Sequence, residues 1–239
     1  IPNVKGLEKL LEHNDKVKNY NQNYIDTIAV FTAASDSFCK KNINKSIAES
    51  LVEYKKVINM ARENHIKVRG YISCCLGCPY EGEVAFDQVL NVAKELYNLG
   101  CYEISIADTI GIGSAGNVQE LLFYLSKSIS LNNFSVHFHD TYGQALANVY
   151  ASLLMGISVI DSSVSGLGGC PYAGYASGNL ATEDLLFLLN NLKIKTNVNF
   201  DKLLLASNFV ANKLKIPVRS KVFNALLAKE KYESKTDII

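Results

Sequence analysis

Short apolar runs alternate along the chain with longer segments of helical periodicity. The runs lie near residues 25–31, 67–73, 102–108, 134–139 and 158–164. Between them, apolar positions recur every three or four residues, as at Leu51, Tyr54 and Ile58, which is the spacing of one helix face. The alternation predicts five strand–helix units in series, and such a series favours a parallel sheet.

Local signals define several helix ends. Ser46 followed by Glu49 predicts a capping box, and Gly100 is placed to end the helix that follows the second strand. Thr182 is expected to cap a helix with its hydroxyl. A further helical pattern covers residues 201–214.

Two segments lack a clear apolar rhythm. The stretch Glu12–Asn23 is rich in Asn and Lys and predicts a solvated loop or a frayed helix end. Residues 219–239 are polar and weakly patterned. We therefore divide the chain into a domain at 1–215 and a C-terminal tail at 216–239.

The polar residues on the strands separate two kinds of parallel sheet. Arg69, Tyr71 and Ser73 share one face of their strand, and His137 and His139 share one face of theirs. An open sheet covered by helices on both faces prefers continuous apolar strands. Polar residues near the carboxyl ends of several strands instead favour a (β/α)8 TIM barrel with C-terminal helices. Because five strands cannot close an eight-stranded barrel, we expect an incomplete barrel here.

Composition excludes some function classes. The chain has 239 residues, 48% of them hydrophobic, and its 24 basic and 23 acidic residues give a net charge of +1. This balance gives no electrostatic footprint for nucleic acid or an anionic membrane, so neither is expected as a partner. We recognise no signal peptide and no apolar run of membrane-spanning length.

The six cysteines do not have the spacing of a secreted disulfide framework, and a reducing compartment is the better interpretation. Cys75 and Cys78 have the spacing of half a zinc site. No second Cys pair or nearby His pair completes a tetrahedral set, so structural zinc is disfavoured.

His137 and His139 are candidate metal ligands. Histidines two residues apart on a strand point the same way, and a neutral imidazole binds divalent ions well. The alternative is one core and one surface histidine. Asn179 offers a neutral oxygen suited to Mg²⁺ or Mn²⁺, although by itself it is more typical of a turn.

A glycine-rich loop carries the candidate catalytic cysteine. Gly166, Gly168 and Gly169 precede Cys170, and such a loop can approach a ligand closely. A thiol there can give or take a proton. The alternative is a turn with an incidental cysteine.

Two charged residues on strands have two interpretations each. Asp108, at a strand end, either faces the barrel mouth or caps the next helix. Arg69 either binds a carboxylate or phosphate of a ligand or forms a structural salt bridge inside the barrel, and we slightly favour the salt bridge.

Taken together, these motifs resemble the 3-hydroxy-3-methylglutaryl-CoA lyase family over nearly the whole chain. The loop Gly168-Gly169-Cys170-Pro171-Tyr172-Ala173 is highly specific to it, whereas His-x-His is shared with isopropylmalate and homocitrate synthases and pyruvate carboxyltransferase domains. The other matching segments are 40–44, 68–74, 76–82, 100–105, 137–148 and 166–184.

The resemblance implies a carbon–carbon lyase (EC 4.1.3.4) that cleaves 3-hydroxy-3-methylglutaryl-CoA to acetyl-CoA and acetoacetate, as in leucine degradation and ketone-body formation. It implies a divalent metal, Mg²⁺ or Mn²⁺, and a CoA thioester substrate. A homo-oligomer, a dimer, is also expected, in a bacterial cytoplasm or a mitochondrial matrix. The implied site residues are His137, His139 and Asn179 for the metal, Cys170, Asp108 and His137 for catalysis, and Arg69, Tyr71 and Glu183 for substrate.

The chain departs from the family pattern in three places. The first two βα units, with their Arg-Asp pair and a Glu, have no counterpart here, so one metal ligand is expected to be missing. Ala107 replaces a usual Gly, and Gly174-Tyr175 stands where the family usually has Lys or Gln followed by Gly. The alternatives are a related barrel aldolase or acyltransferase acting on another hydroxy acid, or an inactive truncated barrel that serves as a binding partner. An Arg-Asp-Gly motif in the upstream coding sequence would argue against the inactive form.

Overall fold

A computed structural model describes residues 1–17, 24–172, 174 and 178–236. The strands are β1 Thr27–Ala33, β2 Lys67–Ser73, β3 Glu103–Asp108, β4 Phe134–Phe138 and β5 Ile160–Asp161. The helices are α1 Val4–Val17, α2 Asp36–Ile43, α3 Ile47–Glu63, α4 Phe86–Leu99, α5 Ala115–Ser126, α6 Ala145–Leu154, α7 Thr182–Asn191, α8 Phe200–Leu214 and α9 Lys221–Thr236. None of these helices combines the length and apolar character needed to cross a bilayer.

The five strands form one parallel sheet in chain order, which confirms the predicted architecture. β1 and β5 are its edges within the described residues, as expected for an incomplete barrel. Only β5 is much shorter than predicted. A 3₁₀ turn at Val164–Gly166 ends the extended chain early, and Ser165 adopts a positive φ of 60° there.

The two faces of the sheet differ in chemistry, as the alternation on β2 illustrates. Val68, Gly70 and Ile72 are buried. A Cβ on Gly70 would lie 3.0 Å from Leu96 of α4, so the absent side chain lets helix and strand pack closely. The opposite face carries Arg69 and is only partly buried. The apolar face therefore packs under helices, and the polar face lines the barrel interior.

The structure corrects the expectation for Glu12–Asn23 as far as Val17, because α1 continues to that residue. Residues 18–23 lie outside the described part. Asn14 is buried beside the core residues Leu7 and Leu10, and its amide bonds the backbone of Ile25 in both directions. A polar residue at a buried helical position removed the apolar rhythm that would have predicted the helix.

Other helix ends follow or correct the sequence prediction. The Ser46–Glu49 capping box forms, and Gly100 ends α4 with φ 107°. The predicted Thr182 cap is wrong: the N-cap position is Ala181, and the Thr182 hydroxyl bonds Ser162 instead. Helix α9 occupies the segment expected to be weakly patterned.

We expect Asn14→Ala to lower the free energy of unfolding by about 2 kcal/mol. The substitution leaves the N–H and C=O of Ile25 without the partners that join α1 to the start of β1. Urea unfolding followed by circular dichroism measures the change. Asn98→Ala, on the exposed face of α4, is the matched control and should change stability by less than about 0.5 kcal/mol. Equal effects would contradict the anchoring role of Asn14.

Candidate active site

A cavity of about 410 Å³ lies at the carboxyl ends of the strands. Strands β1 to β4 each contribute to its lining, and the cysteine-bearing loop closes one side. This is where parallel barrels place their sites, because the carboxyl ends of all strands meet there. The lining includes Phe31, Tyr71, His137, His139, Cys170 and Asn179.

The two histidines line the same cavity, with ring centroids 5.5 Å apart. His137 is partly exposed, whereas His139 is buried. Burial and the neighbouring His137 lower the pKa of His139 to about 4. His139 is therefore neutral at physiological pH, which is the state in which an imidazole binds metal.

Asn179 lies directly beside His139 through a β-bridge. Its Nδ2 donates a hydrogen bond to the Leu167 carbonyl at 2.8 Å, which leaves Oδ1 as the free acceptor. Oδ1 of Asn179 and Nδ1 of His139 are buried, and neither has a hydrogen-bond partner in the described part of the chain. Two orphaned polar atoms beside a second imidazole fit a divalent cation. No group of three His, Cys, Asp or Glu among the described residues could hold a metal. A cation bound by His137 and His139 would therefore need the amide oxygen of Asn179 as a third ligand.

Arg69 and Tyr71 were both predicted to contact substrate, and the structure separates them. Arg69 forms ion pairs with Glu103 and Asp161 below the cavity and also donates to Ser135 Oγ at 2.6 Å. These contacts fit the alternative in which Arg69 forms a structural salt bridge inside the barrel. Tyr71 lines the cavity, accepts a hydrogen bond from Arg69, and packs edge-on against His137. Burial raises the pKa of Tyr71 to about 12, so its hydroxyl stays protonated.

Asp108 is fully buried and is held by a turn that follows β3. Its carboxylate accepts hydrogen bonds from the backbone N–H groups of Gly111, Ile112 and Gly113 at 2.8–3.2 Å. Burial raises the pKa of Asp108, although these three hydrogen bonds oppose the shift. Asp108 therefore orders the turn before α5 and does not cap that helix, whose N-cap is Ser114, and Ala107 and Thr109, on either side, line the cavity.

The Cys170 loop requires its glycines. Gly168 and Gly178 have φ values of 89° and 118°, a region that L side chains rarely adopt. A Cβ on Gly178 would lie 2.1 Å from the Gly168 carbonyl oxygen, so the backbone segments at the two ends of the loop approach each other closely. Gly174 is described, but the predicted effect of Tyr175 lies outside the described residues.

Three side chains hold this loop from outside. The Tyr80 hydroxyl donates to the Tyr172 carbonyl at 2.6 Å, and Arg219 donates to the Gly168 carbonyl at 3.3 Å. Glu183 accepts the Ser165 N–H at 2.8 Å and is bonded by Ser207. The fully buried Glu183 does not line the cavity, so the structure does not bring this predicted substrate residue to the site.

Cys170 differs from the other five cysteines, all of which are buried. Burial raises the pKa of Cys75 and of Cys101 to about 12, which suppresses their thiolates. Cys170 is partly exposed and lines both the site cavity and an adjoining cavity of about 550 Å³ bounded by Pro217 and Arg219. Its thiol is therefore the one that a bound molecule can reach.

Sequence reasoning missed three residues that shape the site. Asp161, Tyr80 and Arg219 contact His137 or the cysteine loop. Asp161 lay inside a predicted strand, and its pairing with His137 follows only from the β4–β5 register. Tyr80 and Arg219 carried no local signal of their role.

The fold defines a parallel α/β-barrel protein, and the cavity at its carboxyl ends groups it with the barrel enzymes. A profile of the HMGL-like family matches residues 9–210. The mitochondrial hydroxymethylglutaryl-CoA lyase of Gallus gallus is 49% identical over 224 residues, which is 94% of this chain and 72% of that protein. The chain therefore belongs to the hydroxymethylglutaryl-CoA lyase family.

Two matches from Pseudomonas aeruginosa, one by sequence and one by structure, support the assignment. The 3-hydroxy-3-isohexenylglutaryl-CoA/hydroxy-methylglutaryl-CoA lyase is 50% identical over 95% of this chain and 73% of its own length. The crystal structure of hydroxymethylglutaryl-CoA lyase from that organism superposes with a TM-score of 0.88 at 49% identity, covering 95% of this chain and 73% of the other. Fold and sequence therefore agree on the family.

We expect Glu183→Gln to destabilise the protein by about 1–3 kcal/mol, since it weakens a buried charged acceptor shared by Ser165 and Ser207. Denaturant unfolding measures the loss, and Glu120→Gln on the exposed surface of α5 is the control. Unchanged stability together with a raised KM would restore Glu183 as a substrate residue.

Proposed function

We propose that this protein cleaves 3-hydroxy-3-methylglutaryl-CoA to acetyl-CoA and acetoacetate. The observation that carries the proposal is the position of Cys170, the one thiol that is not buried, in the lining of the same cavity as His137, His139 and Asn179. Relatives named for this lyase activity, at about half identity over most of the chain, support the same reaction. The pathway context would be leucine degradation and ketone-body formation.

The cofactor we propose is a divalent cation, Mg²⁺ or Mn²⁺, held by His137, His139 and Asn179. The orphaned Nδ1 of His139 and Oδ1 of Asn179 fit this role, because each is a buried atom in need of a partner. When bound, such a cation supplies Lewis acidity toward the oxygen atoms of the substrate.

The protein's own groups manage two protons in the reaction. A base takes the proton of the tertiary hydroxyl as the carbon–carbon bond breaks, and the electron pair of that bond passes into the thioester enolate. Cys170 then gives its thiol proton to the enolate carbon, which produces acetyl-CoA. His137, on the same wall, would contribute through the cation that it holds, because its Nδ1 contacts Asp161 and its Nε2 lone pair cannot bind the cation and accept the proton at once.

The remaining residues position these groups. Asp108 orders the turn at Gly111–Gly113 beside the cavity, and Tyr71 forms part of the cavity wall. Tyr80 and Arg219 hold the loop that carries Cys170. A loop that is held at both ends can open to admit the substrate and close over it. We retain a homodimer as a prediction.

Cys170→Ser in the intact protein should lower turnover of 3-hydroxy-3-methylglutaryl-CoA by about 10²–10⁴-fold, because a hydroxyl is a far weaker acid than a thiol. Metal binding should survive the change. Steady-state assays at saturating Mg²⁺ or Mn²⁺ give the turnover, and a Mn²⁺ titration gives the binding.

Cys39→Ser and Cys75→Ser are the matched controls, since both thiols are buried away from the loop. Each should cost far less turnover than Cys170→Ser. Small, equal losses at all three positions would remove Cys170 from the mechanism. An intact protein without turnover would reject the proposed function itself.

A further inference from the structure

Asp161 lies beside His137 without lining the cavity. It occupies the last position of β5, and the parallel register pairs it directly with His137 of β4. Its Oδ2 is 3.3 Å from His137 Nδ1. The contact is therefore on the side of the imidazole that carries Nδ1.

The carboxylate of Asp161 is fixed from two other strands. Arg69 of β2 donates to Oδ1 at 2.8 Å, and Ser105 of β3 donates to Oδ2 at 3.2 Å. Arg69 is itself held by Glu103 and Ser135. Asp161 consequently has little freedom to turn away, and His137 meets an acceptor in one fixed place.

We propose that Asp161 is the positioning residue for His137. The His137 Nδ1–H donates to Asp161 Oδ2, which fixes the tautomer and leaves the lone pair on Nε2 for the cavity. Carboxylates that hold the second nitrogen of a histidine fix its tautomer and the orientation of its ring. The inference rests on the proposed function, since that function assigns His137 to the cation.

The second histidine shows that this arrangement is specific. His139 Nδ1 has no hydrogen-bond partner in the described part of the chain, and its ring forms no ion pair with a carboxylate there. The two imidazoles therefore have different surroundings. His137 contacts a fixed carboxylate, whereas His139 is buried beside Asn179. Only His137 should respond to a change at position 161.

The test compares Asp161→Asn with Glu103→Gln. Each removes one carboxylate from the neighbourhood of Arg69, but only Asp161 contacts His137. An amide at position 161 can either donate or accept, so the tautomer of His137 is no longer fixed. The two variants thus share the loss of an ion pair and differ in the contact that the inference concerns.

Nitrogen-15 NMR of the imidazoles reads the tautomer directly, with His137→Gln assigning the signal among the four histidines. The parent and Glu103→Gln should show protonated Nδ1 and unprotonated Nε2 at His137, and Asp161→Asn should show a mixture. The dissociation constant for Mn²⁺, measured by electron paramagnetic resonance, should rise about 10- to 100-fold in Asp161→Asn and change little in Glu103→Gln.

A parent protein with protonated Nε2 at His137, or equal tautomers and equal Mn²⁺ affinities in both variants, would overturn the inference. Thermal unfolding of both variants checks that a shared loss of stability is not the cause. Lyase turnover of the parent is measured separately. Its absence rejects the proposed reaction, whereas the tautomer reports on Asp161 alone.

Discussion

The partly buried guanidinium of Arg69 joins four of the five strands on the interior face of the sheet. From β2 it reaches Glu103 on β3, Ser135 on β4 and Asp161 on β5, and it also contacts Tyr71 of its own strand. A charge in this environment is tolerated only because its partners and hydrogen bonds are in place. The same requirement fixes the relative positions of the strands, since removing one partner leaves a partly buried charge with less compensation.

The cavity lies one layer above this ion-pair network. Tyr71 lies two residues beyond Arg69 on the same face, and the β4–β5 register sets His137 against Asp161. The orientation of the upper layer thus depends on the lower one: Arg69 holds Asp161, and Asp161 meets the imidazole that lines the cavity. A network that stabilises the sheet also prepares the site, so the two roles of its residues are hard to separate by deletion alone.

The cysteine loop depends on a different constraint, which is close backbone approach. Gly178 and Gly168 meet too closely for any side chain, and Ser165 holds a positive φ against the carboxylate of Glu183. Asp184, the next residue, caps α9 by accepting from Lys221 and Val222. The first turn of α7, which contains Glu183 and Asp184, therefore contacts both the cysteine loop and the start of α9. The conformation of the loop that carries Cys170 is in this way linked to the packing of the C-terminal helix.

The sequence by itself determined the strand–helix order, the parallel sheet and the polar interior face, and it predicted the candidate residues His137, His139, Cys170 and Asn179, which line one cavity. The fold features follow from local patterns with periods of two and 3.6 residues, and the candidate residues follow from the strand and loop motifs and the family resemblance. Tertiary structure alone decided that Asp108 and Glu183 serve turns, that Arg69 lies in an ion-pair network, and that Asp161 meets His137. The physical reason is that register and loop docking depend on partners up to 92 residues apart, which no local period records.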